Sequence, residues 1–252
     1  MIRTIFAPLA CTLLLSVTAC KESPCRAVSF EENALTVCSF AAQDDELSFH
    51  RLDPDGTPFG QFENLASHLE DNGRDMIFAM NGGMYHDDRS PVGLYVEQGE
   101  RTGPLVVRAS AGNFGMLPNG LFWIDEDGIG VTETLAYIEQ FEDTLPTYAT
   151  QSGPMLVIDG ELHPDFNADG PSKKRRNGVG VSADGQEVHF VISDAPINFH
   201  QFASFFKDEL GTPNALFLDG TVSKLYAPSI GRNEKGFDMG PIIAVSVPQN
   251  RK

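Results

Sequence analysis

One tryptophan, four cysteines and 18 basic side chains against 35 acidic ones are the scarcities of this 252-residue chain. The shortage of positive charge leaves a net charge of −17 at neutral pH. Such a surface repels nucleic-acid phosphates, and the only dense basic run is Lys173-Lys174-Arg175-Arg176, so nucleic acid is excluded as a partner. Of the cysteines, Cys11 and Cys20 fall in the N-terminal segment, and the two that remain, Cys25 and Cys38, do not make a zinc site. The histidines, His50, His68, His86, His163, His189 and His200, show no ligand spacing of the HExxH kind, and only His86 adjoins a motif. A GxSxG elbow, a Walker loop and a dinucleotide fingerprint are all missing, which removes three common enzyme classes. After the N-terminal segment there is no second hydrophobic span.

That first segment reads as a targeting signal. Arg3 supplies a positive start, residues 5–17 are apolar, and Val17-Thr18-Ala19-Cys20 ends the run with small residues. A small residue before cysteine resembles the bacterial lipobox, in which Cys20 is acylated and becomes the new N-terminus. Lys21, rather than aspartate, then directs the chain to the outer membrane of a Gram-negative cell, facing the periplasm. Removing the 19 signal residues, of which Arg3 is the one charged, takes 252 to 233 residues and the charge from −17 to −18. Residues 20–27 are expected to form a lipidated N-terminus and tether, and 28–252 a domain able to bury a full core. Cys25 and Cys38 remain, and an oxidising compartment lets them pair, with a stabilisation of about 3 kcal/mol on the loop-entropy account.

Periodicity predicts two helices. Residues 61–72 put Phe62, Leu65 and Leu69 on one face and stop at Gly73. Residues 199–210 align Phe199, Phe202, Phe206 and Leu210, with Asn198 as cap, Gln201 three residues on and Gly211 at the end. Most of the rest reads as strand. Asp127-Gly128, Asp159-Gly160 and Asp184-Gly185 each lie between apolar segments, and Asp-Gly accepts the positive φ of a type I′ hairpin turn. The fold class is α+β: a mainly antiparallel or mixed twisted sheet with flanking helices.

Four short polar segments at strand ends carry the functional signal. They are Asn81-Gly82-Gly83-Met84-Tyr85, Gln151-Ser152-Gly153-Pro154, Arg175-Arg176-Asn177-Gly178-Val179-Gly180 and Leu218-Asp219-Gly220-Thr221-Val222-Ser223-Lys224. Glycine allows close backbone approach to a ligand, and strand ends on a rigid scaffold are where sites are assembled. Within them Asn81 offers a donor and an acceptor, and its glycines offer amides to an anion. Arg176 offers a fork for phosphate, while Lys173, Lys174 and Arg175 read as a solvated face. Asp219 directly follows an apolar strand, where a carboxylate is costly unless paired or working. Asp194, at the end of another strand, is a second carboxylate of that kind. Residues 165–170 match the first half of a calcium loop, but Arg176 stands where its twelfth position needs glutamate, so it is not an EF-hand.

In order and spacing, over roughly residues 75–245, these segments resemble the phosphodiester glycosidase family. The late loop departs from it, with Thr221-Val222 where the family often has two glycines, and Lys224 following. The resemblance implies hydrolysis of a sugar-1-phosphate diester at the glycosidic bond. On that reading Asp219, Arg176 and Asp194 are catalytic. Asn81, Gly82, Gly83, Tyr85, Ser152, Gly153, Asn177, Gly220, Thr221 and Lys224 bind substrate, with Tyr85 stacking on the sugar. The partners are a sugar-phosphate or glycan small molecule and, through the lipid alone, a membrane. No cofactor is required, although a divalent cation is left open. Two other readings stand beside it: a non-catalytic envelope lipoprotein that binds phosphorylated or acidic glycans, and a metal-dependent phosphodiesterase using Asp165, Asp169, Asp194 and Asp219.

Overall fold

A computed structural model describes residues 23–43, 46–141 and 144–249. The signal segment and Cys20 lie outside the described residues. Strands dominate, arranged as three antiparallel sheets. The first has seven strands, in the spatial order Cys25–Phe30, Asn33–Ala41, Glu187–Ser193, Asn177–Val181, Asn214–Asp219, Met155–Ile158 and Glu161–Leu162. The second has five: Arg232–Asn233, Leu225–Ala227, Arg74–Asn81, Ile242–Pro248 and Glu46–His50. The third also has five: Glu100–Thr102, Tyr95–Glu97, Tyr148–Ser152, Gly120–Asp125 and Gly128–Glu133.

Phenylalanine holds the three sheets to one another. Phe40 and Phe190 come from the first, Phe49 and Phe78 from the second, and Phe122 from the third, all buried in one cluster. Phe78 lies 4.8 Å from Phe190 and 5.0 Å from Phe40, centroid to centroid, and Phe122 meets Phe190 edge-on at 5.7 Å. Rings at these separations add a favourable quadrupole geometry to the area they bury. Each sheet then covers its other face with one helix. Phe199–Ser204 caps the first, Phe62–Asp71 the second, and Thr134–Phe141 the third through Tyr137 and Phe141. The result is α+β.

Both expected helices form, and one ends differently. Gln61 and Asn72 flank the first, and Gly73 follows at φ 75°. Asn198 caps the second, its side chain accepting the Gln201 N–H at 2.8 Å. After Ser204 the backbone continues as a π-turn over Phe205–Glu209, which brings Phe205 as well as Phe206 into the core. The Thr134–Phe141 helix had no strong cue: Thr134, Tyr137 and Phe141 are its only buried residues.

All three Asp-Gly pairs do join antiparallel strands, but only one as a type I′ turn. Asp159 and Gly160 both have positive φ, 48° and 82°. At the second site the two loop residues are Glu126 and Asp127, with Asp125 opposite Gly128. In the third, Gly185 alone is left-handed, closing onto the Ser182 carbonyl at 2.9 Å. Cys25 and Cys38 face each other in register and are bonded. Residues 25–27, expected in the tether, therefore belong to the sheet.

Candidate active site

Strand ends from all three sheets meet at one place. Arg74–Asn81 of the second sheet ends at Asn81, and Tyr148–Ser152 of the third ends at Ser152. In the first sheet Asn177 opens one strand, and the neighbouring strand ends on Asp219 opposite it. Gly178 pairs with Phe217, so Leu218 is an extra residue, and bulges of this kind re-aim side chains beside sites. A Cβ on Gly178 would come 2.8 Å from the Leu216 carbonyl, so the close approach here requires glycine. Ser152 Oγ donates to the Leu218 carbonyl at 2.8 Å, and the Gly83 N–H donates to Thr150 Oγ1 at 3.1 Å.

Asn177 ties these ends together. Its Nδ2 donates to both the backbone oxygen and Oδ1 of Asn81, at 3.2 and 3.1 Å. Its Oδ1 accepts the Asp219 N–H at 3.0 Å and Ser223 Oγ at 3.2 Å. Ser223 also donates to the Asp219 carbonyl at 2.6 Å, and the Lys224 N–H donates to Asn81 Oδ1 at 2.9 Å. Two buried asparagines thus fix the backbone on both sides of the Asp219 loop.

The carboxyl group of Asp219 sits in competing fields. It is 8% exposed, and burial pushes its pKa up. The N–H groups of Thr221, Gly220 and Val222 oppose that, as does the charge of Lys174, without cancelling it. Thr221 N–H reaches Oδ1 at 2.8 Å. Beside it opens a cleft of about 510 Å³, lined by the 220–224 loop, residues 234–237 and Arg175. Lys224 Nζ donates to the Phe237 carbonyl at 2.6 Å and to Gln61 Oε1 at 3.2 Å. Burial lowers its pKa, against the pull of Asp238, Glu63 and Glu234. Tyr85 is close enough to be influenced by Asp219: burial first, then that carboxylate, push its hydroxyl up to about 12. Its OH donates to the Asp238 carbonyl at 3.0 Å.

The sequence profile of the family described as Phosphodiester glycosidase matches residues 74–244, the span that contains all four segments. The chain belongs to the phosphodiester glycosidase family. It is 32% identical over 200 residues to YigE of Escherichia coli (strain K12), an uncharacterized protein, covering 79% of this chain and 77% of that one. Its fold is similar to the zebrafish N-acetylglucosamine-1-phosphodiester alpha-N-acetylglucosaminidase catalytic domain auto-inhibited by its pro-peptide. That match has a TM-score of 0.59 and 15% identity, and covers 90% of this chain and 84% of the other. A putative exported protein from Burkholderia pseudomallei K96243 matches with TM-score 0.50 and 13% identity, over 84% and 74% of the two chains.

Within this member of the family several expected roles change hands. Arg176 is 0% exposed: Nε donates to the Ile197 carbonyl at 2.9 Å, Nη2 to that of Ser172 at 3.0 Å, and the guanidinium carbon lies 3.4 Å from the Phe199 ring centroid. Burial lowers its pKa to about 10. It ties residues 172–176 together through Nε and Nη2, while Nη1 is buried without a hydrogen-bond partner among the described residues. Arg175, expected on a solvated face, lines the cleft instead. Side chains alternate along an extended chain, so Arg175 and Asn177 share a side that Arg176 leaves. Asp194 is not aimed at a substrate either, since Arg232 Nη1 holds Oδ1 at 2.6 Å and Thr36 Oγ1 donates to Oδ2 at 3.1 Å. The Gly82 and Gly83 amides serve the fold, donating to the Pro241 carbonyl and to Thr150. Ser152 is wholly buried, and a Cβ on Gly153 would come 2.7 Å from Asn119, so that segment braces the Asp219 strand from behind. Among the described residues no three His, Cys, Asp or Glu groups converge to hold a metal, so Asp165, Asp169, Asp194 and Asp219 do not form a cation site.

Other residues of the cleft carried no motif. Glu234 Oε1 accepts Arg175 Nη2 at 2.6 Å and pairs with Arg232, and its Oε2 takes the Leu225 N–H at 3.1 Å. Gln61 holds Lys224 from the start of a helix.

Proposed function

We propose that this protein hydrolyses the bond between the anomeric carbon of a sugar and the phosphate of a sugar-1-phosphate diester. Water adds to the anomeric carbon, and the products are the free sugar and a phosphomonoester. The observation that carries this reading is Asp219 itself: a carboxylate seated by three N–H groups, on a backbone held by Asn177, beside a cleft lined by Arg175, Lys224 and Lys235. Most glycosidases need a carboxylic acid to protonate a poor leaving group. A departing phosphomonoester has a second pKa of about 6 and needs charge stabilisation more than a proton. Arg175 and Lys224 supply it from the cleft, with Lys174 nearby, in an otherwise acidic chain.

Asp219 stabilises the positive charge that develops on the sugar and takes a proton from the attacking water. Its raised pKa suits it to that task better than an ordinary aspartate. Tyr85, whose hydroxyl feels the Asp219 charge, is assigned to the sugar. Outside the catalytic domain, the signal segment exports the chain, and a lipid on Cys20 anchors it in the cell envelope.

A panel of sugar-1-phosphate diesters, scored for released sugar, tests the reading. Asp219→Asn is expected to lower turnover by at least about tenfold, or roughly 1.4 kcal/mol of barrier. A wild-type rate in that variant would refute the assignment. Fatty-acid labelling of cells should be lost in Cys20→Ala, and unchanged labelling would remove the anchor.

A further inference from the structure

Residues 234–239 form a strap along the cleft that is fastened almost everywhere. Glu234 holds Arg175 and the Leu225 N–H, and the Gly236 carbonyl accepts Gln61 Nε2 at 2.7 Å. The Phe237 carbonyl takes the Lys224 ammonium at 2.6 Å. Asp238 accepts Gln61 Nε2 on its side chain at 2.6 Å and Tyr85 OH on its backbone at 3.0 Å. The Met239 N–H then returns to the Gly60 carbonyl at 2.8 Å.

Against those fastenings the Phe237 ring stands free. It is 78% exposed, the one exposed phenylalanine among the described residues, and it lines the cleft. The other large exposed apolar side chains, such as Leu135, are not part of that cleft. Burying a phenyl ring is strongly favourable, yet here the backbone is pinned so that this one faces water. Its own carbonyl takes the Lys224 ammonium, so the backbone that carries the ring is tied to a cation lining the same cavity. An aromatic face beside a cationic site is the arrangement that binds a phosphate and the ring attached to it.

We infer that Phe237 is the stacking platform for a ring on the leaving phosphomonoester, so the cleft selects diesters whose aglycone is a second sugar or a nucleobase over those with a short open chain. The inference rests on the hydrolytic reading above for its division of the substrate, with the reacting sugar towards Asp219 and Tyr85. It makes Phe237 a specificity-determining residue, with no part in bond breaking.

Direct binding tests it without turnover. Uridine monophosphate, glucose 6-phosphate and glycerol phosphate are titrated calorimetrically into the wild type, Phe237→Ala and Phe237→Trp. At least one ring-bearing ligand should bind the wild type about tenfold tighter than glycerol phosphate, the size of one ring stacked on an aromatic face. Phe237→Ala should erase that preference and Phe237→Trp should keep it. Which ring ligand loses affinity tells sugar from nucleobase. Equal binding of all three by the wild type, no binding of any, or an equal loss for all three in Phe237→Ala overturns the inference. Absence of diester hydrolysis would instead count against the reaction, leaving the binding result to judge Phe237.

Discussion

Replacing Asn177 with alanine should cost both stability and turnover, for one structural reason. The side chain is fully buried and makes four hydrogen bonds, two given to Asn81 and two taken from Asp219 N–H and Ser223. Some partners have a second bond: Ser223 still reaches the Asp219 carbonyl, and Asn81 Oδ1 keeps the Lys224 N–H. The Asp219 N–H and the Asn81 carbonyl lose the side-chain partner they have here. Two buried groups left short, at roughly 1–3 kcal/mol each, give a destabilisation of about 3 kcal/mol after partial relaxation. At about 2–4 °C per kcal/mol for a domain of this size, Asn177→Ala should melt roughly 6–12 °C below the wild type. Turnover should fall at least about tenfold, because the carboxylate loses the anchor that sets its position. Thermal unfolding followed by circular dichroism, with a sugar-release assay on the same samples, measures both. A melting point within about 1 °C of wild type, the behaviour of an ordinary surface substitution, together with full activity would refute the reasoning.

Asp219 should show the opposite pattern of stability and activity. Its folded pKa is raised by burial, so the stabilisation from its bound proton is complete below the unfolded value near 3.8 and is lost as pH rises through the folded value. At pH 7 the ionised group is a cost, and Asp219→Asn should melt no lower than wild type while losing turnover; a lower melting point contradicts this. The acid limb of kcat/KM should lie above the ordinary aspartate range, and a limb at or below it would contradict the raised pKa. Arg176→Ala removes two bonds to carbonyls and the contact with Phe199, and should lower stability by about 2–3 kcal/mol in denaturant titration; unchanged unfolding would return Arg176 to the substrate. Removing the Cys25–Cys38 bond by serine substitution should cost about 3 kcal/mol, measured in the same way.

What the sequence made legible were the ends of things. Asn81, Ser152, Asn177 and Asp219 each stand where an apolar strand stops or starts, and the fold brings all four together. Asn198 and Gly73 marked helix ends for local reasons of backbone chemistry, and they do so in the fold. Direction was harder to read. Arg176 has the chemistry of a phosphate ligand, but one residue of alternation turns it into the protein, where two backbone carbonyls take Nε and Nη2 and Nη1 is left without a hydrogen-bond partner among the described residues. Asp194 carries the same strand-end signal as Asp219, and only a residue 38 positions away, Arg232, decides that it is an ion-pair partner. Glycine was ambiguous for a similar cause. Gly83 is required because a Cβ would come 2.4 Å from the Gln151 carbonyl, a packing demand that looks the same in sequence as an anion-binding turn. Gln61, Glu234 and Phe237 lie on segments with no motif, and the tertiary fold alone assembles them.

The bond that breaks is the most direct test of the account. Hydrolysis of a sugar-1-phosphate diester in ¹⁸O-water, stopped early and read by mass spectrometry, should leave the phosphomonoester unlabelled and carry the heavy oxygen into the sugar. Label in the phosphomonoester would mean attack at phosphorus, and Asp219 would not be working on an anomeric carbon.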